Sequence, residues 1–149
     1  MSAFSQPMKA EDLIRHHEGF RSRPYRCTAG KLTIGYGRNI EDNGITRDEA
    51  EQLLANDVYD CRQVLIRNLL FWDQLDRVRQ TVLVDMCFNL GWPKFSQFRK
   101  MINALALRDF SLAAKEMLES RWAKQVPNRA GRLIKMMATG EWPEDIGRD

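Results

Sequence analysis

Three side chains of different chemistry lie close together near the start of the chain. Glu18, Cys27 and Thr33 are separated by eight and five intervening residues within the stretch running from His17 to Gly37. A carboxyl, a thiol and a hydroxyl in one neighbourhood suit the cleavage of an acetal. That reaction requires a proton donor for the leaving oxygen, stabilisation of an oxocarbenium-like centre, and a water or nucleophile on the opposite face. Glu18 fits the donor, because the negative end of a helix and adjacent apolar surface both favour its protonated form. Cys27 and Thr33 then serve the other face, the hydroxyl holding a water and the sulfur assisting attack or stabilising positive charge. A well-placed general acid contributes roughly 10² to 10⁴ in rate.

These groups need a scaffold, and the apolar periodicity supplies one. Leu13, Ile14 and His17 at helical spacing, with Gly19 just beyond, predict a helix over about 9–18 that ends on Glu18. Glu18 shares a face with Ile14 there, so its carboxyl is expected near apolar surface. Residues 24–36 read as a hairpin in which Leu32, Ile34 and Tyr36 alternate against Thr33 and Gly35. Thr46-Arg-Asp-Glu49 matches a capping box and opens a helix whose stripe runs from Ala50 to Leu65. Beyond Trp72 the 3.6-residue period predicts helices over about 76–90, 95–107, 111–124 and 127–140, with Gly91-Trp-Pro93 as the first stop. The fold class expected is α+β and mainly helical. It has a small hairpin-containing N-terminal lobe over about 12–60, a long connecting helix and a helical C-terminal lobe over about 61–149, with residues 1–11 packing on the latter.

The 149 residues, 44% of them hydrophobic with 4 Trp and 7 Phe, suffice for one domain with a real core. No apolar run approaches the ~20 residues of a membrane span, and residues 1–9 show no secretory signal, so synthesis in the cytoplasm is expected. Three cysteines, Cys27, Cys61 and Cys87, without ligand spacing predict reduced thiols, no disulfide framework and no metal. Cys61 and Cys87, on apolar faces, read as small buried hydrophobes. Lys plus Arg at 23 against Asp plus Glu at 20 is too mild an excess for a nucleic-acid footprint.

The spacing Glu18-x8-Cys27-x5-Thr33 resembles the signature of the phage-type lysozymes, glycoside hydrolase family 24. So do Leu32-Thr-Ile-Gly-Tyr-Gly37, Ile45-Thr-Arg-Asp-Glu-Ala-Glu51 and the Arg-Trp…Pro-Asn-Arg run within 120–132, all in family order. The resemblance implies a two-lobe, monomeric muramidase that acts on peptidoglycan glycan strands without cofactor or metal, by cleaving the β-1,4 bond between N-acetylmuramic acid and N-acetylglucosamine. It implies Glu18, Cys27 and Thr33 as catalytic residues, Arg129 as the partner of the catalytic glutamate, and Gly37, Asn39, Phe88 and Asn89 as substrate-binding residues. It further implies residence in the host cytoplasm before lysis, holin-dependent release and action on the cell wall. Cys27 stands where many members carry Asp, so nucleophile and base both stay open, and Arg23 and Arg26 are placed to lower its pKa. Arg38, where the family often has His, is expected to pair with Asp57. His17, where relatives often have an acid, gives no carried-over salt bridge to Arg132. A catalytically silent wall-binding module would be expected to lack one of the three active-site types. A DNA-binding helical domain would show steep salt dependence.

Overall fold

A computed structural model of the chain describes residues 6–147. The elements divide into two compact units, residues up to Gln52 and residues from Leu53 onward. The division falls inside one helix. Of the segment 1–11 expected on the second lobe, residues 1–5 lie outside the described part.

In the N-terminal unit, α1 (Ala10–Glu18) carries Glu11 and Asp12 in its first turn and Arg15, His16 and His17 in its last, the arrangement its dipole favours. Gly19, at φ 70°, ends it. Three antiparallel strands follow, β1 (Arg21–Arg26), β2 (Leu32–Gly35) and β3 (Arg38–Asn39), in the order β1-β2-β3. Thr33 is central in register, opposite Tyr25 on β1 and Asn39 on β3. The hairpin is therefore one strand larger than its alternation predicts, because β3 is too short to show a period. Asn39 then caps α2 (Ile40–Asn43), a short helix that four residues cannot announce. α3 (Arg47–Asn68) begins on the expected box: the Thr46 hydroxyl accepts from the Glu49 amide at 3.1 Å, and Glu49 accepts from the Thr46 amide at 2.8 Å.

This unit holds together largely by polar contacts, since Thr33, 3% exposed, is its one fully buried residue among those described. Arg26 donates to Glu41 at 2.9 Å and Lys31 to Asp42 at 3.2 Å, tying the hairpin turn to α2. Arg38 forms a fork to both oxygens of Glu49, at 2.9 and 2.5 Å, tying β3 to the first turn of α3. The expected Arg38–Asp57 pair is thus corrected: the partner lies two turns earlier on the same helix, where a bidentate geometry is within reach of β3.

The C-terminal unit contains the apolar core. After a 3-10 turn (Trp72–Gln74) come α4 (Arg77–Leu90), α5 (Trp92–Phe95), α6 (Arg99–Ala106), α7 (Phe110–Leu118), α8 (Arg121–Gln125) and α9 (Pro127–Thr139). Leu65, Val82, Leu83, Met86, Phe95, Met117 and Met137 are fully enclosed. α9 packs on α4, α7 and α8. Two of the expected helices are split. The 95–107 helix breaks at Phe98, whose ψ of 58° is non-helical, and Pro93 opens a new short helix rather than marking only a stop. The 111–124 helix breaks because the Ser120 hydroxyl accepts from the Ala123 amide at 3.2 Å and restarts the chain as α8. Arg79 closes the end of α9, donating to the Met137 carbonyl at 2.9 Å and the Ala138 carbonyl at 3.2 Å.

Candidate active site

Glu18 is the last residue of α1, and its side chain lies along the backbone of the β2–β3 turn. A Cβ built on Gly37 would come within 2.8 Å of both Cδ and Oε2 of Glu18. Gly37 also sits at φ 78°, in the left-handed region that favours glycine. Two demands, conformation and space, converge on that residue. α1 also meets this turn through Arg15, 6.0 Å over the Tyr36 ring, and Phe20, just after the helix, lies 5.6 Å from the same ring. Glu18 is exposed, as is every residue of α1, rather than set against the apolar surface that its spacing from Ile14 predicts.

Cys27 follows β1 and is partly exposed. Its amide donates to the Lys31 carbonyl at 3.0 Å and its carbonyl accepts from Gly30 at 2.8 Å, which folds residues 27–31 into a tight turn around the thiol. Backbone hydrogen bonds from Lys31 and Ala29, with help from the Thr33 hydroxyl, hold the thiol below its ordinary value. The expected cause, Arg23 and Arg26, is replaced by these backbone dipoles, since Arg26 is engaged with Glu41 and the Gly30 carbonyl. Thr33 donates to the Lys31 carbonyl at 2.8 Å. A hydroxyl has one proton, so Thr33 can serve the thiol as acceptor and turn that proton toward sulfur once the thiolate forms.

The N-terminal unit thus gathers Glu18, Gly37, Thr33 and Cys27 about one small sheet, with Thr33 as its link. Asn39 spends its side chain on the α2 cap, accepting from the Asp42 amide and donating to the Asp42 carboxylate, each at 3.0 Å.

The C-terminal unit brings together a second group. Arg129, in the first turn of α9, donates from Nε to Asp85 at 2.7 Å. Asp85, Arg129 and the half-exposed Phe88 line one cavity of about 310 Å³ with Val58 and Arg62. Asn89 accepts from the Trp122 indole at 2.8 Å. Arg132 forms a fork to Asp145. Asp85 was not anticipated from the sequence. Its spacing of three and four residues from Phe88 and Asn89 places it on their face of α4 and is the signal that could have found it. Among the described residues no group of three or more His, Cys, Asp or Glu could hold a metal ion.

A mainly helical α+β chain with this sheet-bound carboxyl, thiol and hydroxyl has the make-up of a lysozyme. The chain belongs to the phage lysozyme family, whose model matches residues 15–138. It is similar to Probable T4-type lysozyme 1 of Dictyostelium discoideum, 26% identical over 87% of this chain and 94% of that protein. It is also similar to the Endolysin of Acyrthosiphon pisum secondary endosymbiont phage 1, 31% identical over 78% of each chain. The Peptidoglycan hydrolase gp36 of Pseudomonas phage phiKMV is 25% identical over 91% of this chain, which spans 16% of that larger protein.

Proposed function

We propose that the protein is a muramidase that hydrolyses the β-1,4 bond between N-acetylmuramic acid and N-acetylglucosamine in bacterial peptidoglycan. Family membership and the names of the relatives support peptidoglycan as substrate. The observation that carries the reading is the family match over residues 15–138, with Thr33 central in the small sheet between the Cys27 turn and the Gly37 turn that lies against the Glu18 carboxyl. Glu18 donates its proton to the glycosidic oxygen as the bond to the anomeric carbon breaks. Cys27 either adds to that carbon as thiolate, to be displaced by water, or takes the proton of the attacking water. Thr33 orients that water and holds the sulfur. Arg129 is assigned as partner of the catalytic carboxyl on its place in the Pro-Asn-Arg motif alone, and within its own unit Asp85 fixes one edge of its guanidinium. Gly37, Asn39, Phe88 and Asn89 are assigned to substrate binding on the same family grounds.

The biological setting follows from this reading. A monomer made in a host cytoplasm and released through a holin would reach the wall at lysis. The test is Glu18→Gln in a turbidity assay on a cell-wall suspension, with circular dichroism as the fold control. Loss of ~10² or more in rate with an unchanged spectrum is expected. Undiminished clearing by the variant would remove the general-acid role.

A further inference from the structure

Cys61 on α3 and Cys87 on α4 take no part in the proposed chemistry, yet they open onto one cavity and each thiol perturbs the other. Both line a cavity of about 530 Å³, with Val64, Phe88 and Trp92 among its walls. Cys87 is 2% exposed, whereas Cys61 reaches partly into solvent. Packing alone asks only for a small apolar side chain at each place. Two thiols that share one cavity from separate helices of one compact unit have a further capacity, because they can become covalent where their sulfurs meet.

We propose that Cys61 and Cys87 form a redox-responsive dithiol that closes to a disulfide in oxidising surroundings and staples α3 to α4. The oxidant is a small-molecule disulfide. Cys61, the more accessible thiol, loses its proton and attacks one sulfur of that disulfide, releasing one thiol and forming a mixed disulfide. Cys87 then loses its proton and attacks the Cys61 sulfur, releasing the second thiol. The pair gives up two protons and two electrons, and the oxidant takes both up as two thiols. Burial pushes Cys87 up to about 11 and raises Cys61 as well, so the reduced pair reacts slowly, while Cys27 is the fast thiol of the chain. The staple closes a loop of about 25 residues, enough to lower the unfolding constant by roughly a hundredfold.

The inference stands apart from the muramidase reading, since its readouts need no substrate. The full chain is incubated, folded, with graded glutathione disulfide, acid-quenched, alkylated, and analysed by intact mass and peptide mapping. The expected product has the Cys61 and Cys87 peptides linked, two hydrogens lighter than the reduced pair, whatever adduct Cys27 carries. Its denaturation midpoint is raised by an amount matching that hundredfold change, and dithiothreitol restores the original value. Cys61→Ser and Cys87→Ala should each abolish the linked species and the rise. Stable glutathione adducts on Cys61 without internal closure, or linkage of either cysteine to Cys27, would overturn the proposal. A linked species with an unraised midpoint would overturn the staple.

Discussion

Gly37→Ala tests whether the Glu18 carboxyl is positioned by the sheet. The new methyl would sit 2.8 Å from Cδ and Oε2, whereas ordinary contact begins at 3.4 Å, so the carboxyl must retreat by about 0.6 Å. A misplacement of ~1 Å at a catalytic group costs about a hundredfold, so a loss of about tenfold to a hundredfold in kcat is expected. The substitution also meets a backbone at φ 78°, which costs roughly 1 to 2 kcal/mol in stability. Gly35→Ala separates the two effects. Gly35 has nearly the same conformation, φ 70°, with nothing within 4 Å of an added Cβ. Both variants should lose similar stability in urea unfolding, but Gly37→Ala alone should lose turnover on a cell-wall suspension. Equal activity in the two variants would refute the positioning of Glu18 by this turn.

Thr33→Val removes the hydroxyl that helps to hold the Cys27 thiol low. The pH at which that thiol becomes alkylatable should move upward, and the rising limb of the activity profile should move with it. Thr33→Ser should restore both, and an unmoved profile would leave Thr33 no role toward the sulfur. Arg38 and the Thr46 amide hold the Glu49 carboxyl at about 2, below its ordinary 4.5. A carboxylate lowered in the fold contributes stability that is complete above the ordinary value and is lost as pH falls toward the lowered one. Protection of the β3 amides, relative to intrinsic exchange at each pH, should therefore fall between about 4.5 and 2 in the native chain, and Glu49→Gln should flatten that dependence. Arg79→Ala abandons two carbonyls at the end of α9 and the face of Phe110, 3.8 Å away, so a loss of about 2 to 3 kcal/mol in chemical denaturation is expected.

The elements that carry the proposed catalytic residues were legible from type and spacing: Glu18 ends a helix that Gly19 punctuates, and Thr33 sits on an alternating strand. The long helices were legible for the same reason, α3 from its capping box and α4 from Asp76 and Gly91. What was not legible depends on tertiary choice among several acceptable partners. Arg38 had acids within reach at more than one turn of α3, and only the position of β3 selects Glu49. The cause of the lowered Cys27 thiol lay in backbone amides, which every sequence carries and no residue type reveals. Ser120 and Phe98 broke helices whose apolar stripe continued unbroken, because a local cap or a single dihedral outweighs periodicity.

The most direct test is the identity of the ends released from purified peptidoglycan sacculi. Mass analysis of the soluble fragments should find intact stem peptides on glycan pieces that end in a hydrated, reducible N-acetylmuramic acid, and Glu18→Gln should release almost none. Cyclised anhydro ends, peptides freed from uncut glycan, or the same fragments in equal yield from the variant would contradict hydrolysis driven by that carboxyl.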